Sequence, residues 1–186
     1  MYKLITFTTL FFTSFSMGFC AHESRAQEDS FVSEIRAGVL KHDIGGDLGH
    51  RHERGYDINA EMLFTAPENA VFDFLFSPRP HLGTSINTRG GSHQFYFGLT
   101  WHFDFFEYTF LELSFGGSAN TGKRKTPTRR KQALGSNIMF RESVSLGLNL
   151  GDRHTLSVIL DHTSNASLAS RNPGLTGLGL RYGYKL

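Results

Sequence analysis

The chain has 186 residues, 19 Lys plus Arg against 17 Asp plus Glu, and a formal charge of +2. That length holds one domain or one small barrel, and the near-neutral balance excludes a protein that binds nucleic acid through its overall charge. A single cysteine excludes an internal disulfide framework, and after residue 21 no apolar run approaches the roughly 20 residues a membrane helix needs.

Residues 1–26 read as a secretory signal peptide. Lys3 gives a positive start, residues 4–21 are apolar and uncharged, and Ser24-Arg25-Ala26 offers small residues at a cleavage site. Residues 27–186 then form one domain, without cysteine, and are read as a succession of strands by their period-2 alternation. A first, weak strand covers about 31–41. Tyr56, Ile58, Ala60, Met62 and Phe64 share one face of a second. Residues 65–77 fit no strand and suit a long turn containing a helical turn. A weak strand follows near 80–88. Phe95, Phe97, Leu99 and Trp101 mark a fourth, and Leu111, Leu113 and Phe115 a fifth. Ile138, Phe140, Val144, Leu146, Leu148 and Leu150 mark a sixth, and Leu156, Val158 and Leu160 a seventh. Leu178, Leu180, Tyr182, Tyr184 and Leu186 mark the last. No sequence repeat and no amphipathic helix competes with this pattern.

Eight strands with one apolar face fit either a soluble barrel, apolar inside, or a membrane barrel, apolar outside. The secretion signal favours the membrane barrel. So does the second face of each strand, whose Gly, Ser, Asn and charged residues would make a poor dry core. The last strand resembles the C-terminal assembly signal of bacterial outer-membrane barrels. The expected fold is therefore all-β, an eight-stranded antiparallel transmembrane β-barrel of the bacterial outer membrane. Outer loops fall near 42–54, 88–93, 116–133 and 164–176, and inner turns near 65–79, 102–106 and 151–153.

His162 and Ser164 lie two residues apart and share a strand face with Leu156, Val158 and Leu160. Polar groups on a lipid-facing stripe are costly unless interfacial or paired, and an imidazole beside a serine can activate it as a nucleophile. The pair alone is compatible with interfacial decoration as well as with a hydrolase whose site opens sideways into the membrane.

The run His162-Thr163-Ser164-Asn165-Ala166, followed by Asn172-Pro173-Gly174 and a short final strand, resembles the signature of the lipid A 3-O-deacylase (PagL) family. The resemblance covers about the last 50 residues. It implies an eight-stranded outer-membrane barrel that hydrolyses the 3-O-linked hydroxyacyl ester of lipid A without metal or cofactor. It implies Ser164 as nucleophile, His162 as general base and Asn165 near the oxyanion. The chain departs from the family where the acid, a Glu two residues after Asn-Pro-Gly, is replaced by Thr176. Spacing offers another carboxylate. A tight turn centred on Asp152 sets Glu142 opposite His162, on a stripe that is otherwise apolar. Glu142 is thus the candidate that orients His162, while an interfacial Glu without a role is the plain alternative. Asp161 projects to the other face.

The expected substrate is lipid A or lipopolysaccharide, with membrane lipid around the barrel and no nucleic-acid partner; a homodimer stays open. A barrel esterase for another lipid, and a non-enzymatic barrel with a decayed site, are the competing readings. Lys123, Arg124, Lys125, Arg129, Arg130 and Lys131 in the third outer loop could meet lipopolysaccharide phosphates. His42, Asp43, Asp47, His50, His52 and Glu53 cluster in the first outer loop, in a spacing that matches no metal motif.

Overall fold

The structure is a computed structural model and describes residues 30–44 and 53–186; the expected signal peptide and Asp47, His50 and His52 lie outside the described residues. Eight strands form in chain order: β1 (Val32–Lys41), β2 (Tyr56–Phe64), β3 (Arg79–Asn87), β4 (Gln94–Phe106), β5 (Thr109–Asn120), β6 (Ile138–Leu150), β7 (His154–Ser164) and β8 (Leu175–Lys185). One short helix, α1 (Ala70–Phe74), lies between β2 and β3. Each strand pairs antiparallel with the next, and β1 pairs with β8 to close the barrel.

Alternation decides which face meets which solvent. Along β6, Arg141, Ser143 and Ser145 are buried inside, while Phe140, Val144 and Leu146 are exposed outside. The same inversion runs round the wall: Phe97 is 66% exposed and Leu180 58%, whereas Arg141 and Glu112 are each 2% exposed. A soluble barrel would require the opposite arrangement. An apolar outer band around a polar interior is the organisation of a membrane-spanning barrel, and that is the fold of this chain.

The interior is filled by ion pairs, with a few buried apolar side chains such as Leu40, Leu63, Phe110 and Ile159 among them. Arg36 bonds Glu34 at 2.7 Å and Glu112 at 2.7 Å, Arg79 bridges Glu34 at 3.0 Å and Glu112 at 2.7 Å, and Arg181 bonds Glu61 at 2.7 Å. Higher up, Arg141 lies 3.8 Å from the centroid of the Tyr96 ring and donates to Asp161 at 3.3 Å. Two of the many glycines make room for this filling: a Cβ at Gly147 would strike the Phe110 ring, and one at Gly83 the Tyr96 ring.

The strands run further than the alternation of their apolar residues suggests. β4 continues through residues 102–106, which were expected as a turn, because His102 keeps the inward parity and bonds Glu112 at 2.9 Å. The turn is only Glu107-Tyr108. β5 extends through Gly116, Gly117 and Ser118 to Asn120, so the third outer loop occupies 121–137 rather than 116–133. Small residues there read as loop but pair as strand, with Gly98 facing Gly116.

The outer mouth is closed by hydrogen bonds between loops. Glu53 accepts from the backbone N–H of Gln132 at 2.7 Å, the Ser92 hydroxyl at 2.8 Å and the Ser92 N–H. His42 bonds Asp57 at 2.7 Å and Glu53 at 3.2 Å. Burial alone would lower the His42 pKa, but the two carboxylates override it and raise it to about 9. Glu53 is lowered in turn by His42 and by its backbone donors, against its own burial. Among the described residues no group of three His, Cys, Asp or Glu side chains is arranged to hold a metal.

Candidate active site

The site is built on three neighbouring strands. β7 carries His162 and Ser164 on the lipid-facing side, both half-buried. β6 sets Glu142 opposite His162 and Phe140 opposite Ser164. β8 sets Thr176 on the other side of His162. The β6–β7 register follows from the tight turn at 151–153, where Leu150 pairs with His154. Glu142 therefore stands where the spacing places it, exposed on the outer face.

Phe115, Phe140, Glu142, His162, Ser164 and Ala166 line a cleft of about 270 Å³ that opens on the outer wall. A second, more apolar hollow of about 510 Å³ adjoins it and shares Phe115 and Phe140. Its lining includes Phe97, Ile138 and Leu168, and Gly117 stands in register between Phe97 and Phe140. The missing side chain at 117 leaves a gap in the aromatic wall.

The His162 ring is held from two directions. Nδ1 lies 2.8 Å from Thr176 Oγ1. Gly174 packs against the other edge, where an added Cβ would come within 2.7 Å of His162 Cε1; its φ of +69° also favours glycine. The hydrogen bond that orients the ring is thus supplied by Thr176, at the position where the family's Glu was expected, and not by Glu142. Thr176 was legible in the sequence only as a missing charge; its hydroxyl as a ring partner was not.

Asn165 is 3% exposed and turned into the loops. Its Nδ2 donates to the carbonyls of Leu134 at 2.9 Å and Arg171 at 2.7 Å, and its backbone N–H donates to Asn172 Oδ1 at 2.9 Å. It ties the loop 165–174 to the end of the loop 121–137. Leu134 in turn packs with Met139 and Leu175 in the small apolar cluster beneath the site. The next two residues, Ala166 and Ser167, have left-handed φ values of 51° and 63°, a sharp turn that brings Ala166 to the lining of the cleft. Asp161 points inward to Arg141, as its parity requires. Of the basic loop, Lys123, Arg124, Lys125, Arg129 and Arg130 are exposed, and Lys131 donates to the carbonyl of Thr121 at 2.8 Å.

The class is a small membrane-spanning barrel of eight strands, with a serine, an imidazole and a carboxylate sharing a cleft in its lipid-facing wall. The family profile of lipid A 3-O-deacylase (PagL) matches residues 55–185, and the chain belongs to that family. Among solved structures, the crystal structure of the outer membrane enzyme PagL is similar at a TM-score of 0.60 and 19% identity, over 81% of this chain and 98% of that one. A de novo designed transmembrane β-barrel is similar at a TM-score of 0.54 and 9% identity, over 87% of this chain and 100% of that one. At these identities the likeness is one of fold. No curated protein matches the chain in sequence.

Proposed function

We propose that this protein is an outer-membrane esterase that removes the 3-O-linked hydroxyacyl chain of lipid A, with Ser164 as nucleophile and His162 as general base. The observation that carries the reading is the cleft itself: His162, Ser164 and Glu142 line one opening on the lipid side of the wall, in a chain of the lipid A deacylase family.

The contact between His162 and Thr176 supports one order of proton transfers in this reading. In the productive tautomer His162 donates Nδ1–H to Thr176 Oγ1, leaving the Nε2 lone pair to take the Ser164 proton. Ser164 Oγ attacks the ester carbonyl, and His162 returns the proton to the departing sugar oxygen. Water, deprotonated by the same ring, then hydrolyses the acyl-enzyme. A threonine hydroxyl accepts from Nδ1 as a carboxylate would, but it brings no charge to balance the imidazolium. Glu142, across the pair from His162, supplies that charge. A carboxylate exposed among lipid-facing side chains is expensive without a partner, and the imidazolium formed in turnover is the cation within its reach.

The oxyanion falls to Asn165 and the backbone N–H groups of the turn that follows it. Because both amide protons of Asn165 are engaged by loop carbonyls, donation by its side chain requires one of those bonds to be exchanged as substrate enters. The apolar hollow beside the cleft suits an acyl chain, and the exposed cations at 123–130 suit the phosphates of lipid A. Substrate need not leave the bilayer to reach Ser164.

The test is ester hydrolysis by the purified barrel in detergent micelles containing lipid A. Ser164→Ala and His162→Asn should both fall to the background rate while the barrel stays folded. Wild-type turnover in Ser164→Ala would overturn the assignment, and hydrolysis of phospholipid in preference to lipid A would move the substrate to the other lipid class.

A further inference from the structure

The end of the barrel that carries the β2–β3, β4–β5 and β6–β7 connections is the periplasmic end. Two of these connections are two or three residues long, at 107–108 and 151–153. The other, 65–78, contains α1 and is apolar on more than one side. Phe72 and Leu75 are half-buried. Val71, Phe74 and Phe76 are 65%, 81% and 85% exposed. A short helix that shows apolar side chains to its surroundings as well as to its support is not placed for water.

Its support fixes where it lies. Trp101, the chain's one tryptophan, shares the outward parity of Phe95 and Phe97 on β4. Its Nε1–H donates to the carbonyl of Leu75 at 2.7 Å. The segment therefore folds back against the outer, lipid-facing wall instead of hanging below the barrel. Much of its backbone is satisfied within the segment: Asn69 Oδ1 accepts from the N–H groups of Val71 and Phe72, and Ser77 N–H donates to the carbonyl of Phe72 at 2.7 Å. That closure suits an interface, where unsatisfied backbone groups are costly on the lipid side. The charged residues of 65–78 are Glu68 and Asp73, both carboxylates.

We propose that residues 70–76 are an interfacial foot that inserts Val71, Phe74 and Phe76 into the periplasmic phospholipid leaflet beside β3 and β4. Continuity with the apolar band through Trp101 identifies lipid as the occupant. With carboxylates and no cation in the segment, apolar insertion rather than attraction to anionic headgroups holds it, so neither salt nor anionic lipid changes its depth.

The test uses the full barrel with Cys20→Ser, a bimane label on Phe74→Cys, and vesicles of phosphatidylcholine with and without phosphatidylglycerol. Val71→Cys gives a second position, and Thr126→Cys, exposed in the outer loop, gives the aqueous reference. The labels at 71 and 74 should be quenched by a nitroxide carried near the lipid headgroup. They should be shielded from aqueous iodide by about threefold or more relative to 126, equally in both vesicles and at high salt. Iodide quenching equal to that at 126 overturns the proposal. Shielding from both quenchers also overturns it, since the cover is then protein, such as a second copy of the chain.

Discussion

Replacing Gly174 by Ala isolates the contribution of the His162 position from the stability of the barrel. Gly174 has φ +69° and Gly151 has φ +71°, so alanine at either site meets the same left-handed conformational penalty, about 1–2 kcal/mol. Their surroundings differ. At 151 nothing lies within 4 Å of the new Cβ; at 174 it meets His162 Cε1 at 2.7 Å, Thr163 O at 3.1 Å and His162 Nε2 at 3.2 Å. Ordinary contact begins at 3.4 Å, so the ring must move by about 0.7 Å or the loop must open. Misplacing a catalytic group by about 1 Å lowers turnover about 10²-fold. Gly174→Ala should therefore lose roughly 10- to 100-fold in kcat on an ester in detergent, and Gly151→Ala less than about twofold. Thermal unfolding should shift in both, further at 174 where the contacts add to the shared conformational cost, so turnover is compared at a temperature where both barrels are folded. Equal turnover in the two variants would refute the placement of His162 as the working base held against Gly174.

Three further outcomes follow from the same geometry. Thr176→Val removes a neutral hydrogen bond worth about 0.5–1.5 kcal/mol, so kcat should fall roughly two- to tenfold; an unchanged rate would mean that Thr176 does not set the ring. Glu142→Gln removes a charge directly opposite His162; the Cβ atoms of such a pair lie about 5 Å apart, and charges at a like separation interact by about 3 kcal/mol at an effective dielectric near 20. Turnover should drop about 10²-fold with the barrel still folded, and full activity would sink the charge-balancing role. The loop closure at the outer mouth should depend on pH in one direction. Because the folded pKa of His42 is raised to about 9, its stabilisation is complete below about 6.5 and is lost as pH rises through about 9. Protease cleavage within 121–137 should accelerate between pH 7 and pH 10, and equal protection at both would contradict the clamp.

Strand order, the inverted barrel and the Glu142–His162 pair were legible because each depends on local rules. Period-2 alternation assigns faces, and the tight turn at 151–153 transmits a register of pairs up β6 and β7. Thr176 as the partner of His162 was not legible, because a ten-residue loop separates β7 from β8 and sets no register. Asn165 could be located but not oriented: its partners are backbone carbonyls at 134 and 171, which carry no side-chain signature. The ends of β4 and β5 are not legible in the sequence, because inward polar residues and glycines continue a strand that apolar counting stops. The loop clamp at Glu53 depends on residues from three loops that meet only when the barrel closes.

The most direct measurement is mass spectrometry of lipid A from cells producing the wild-type chain or Ser164→Ala at equal barrel abundance. The account predicts loss of one 3-O-linked hydroxyacyl chain with the wild type and intact lipid A with the variant. The same loss in both, or intact lipid A in both with the wild-type barrel folded in the outer membrane, would contradict it.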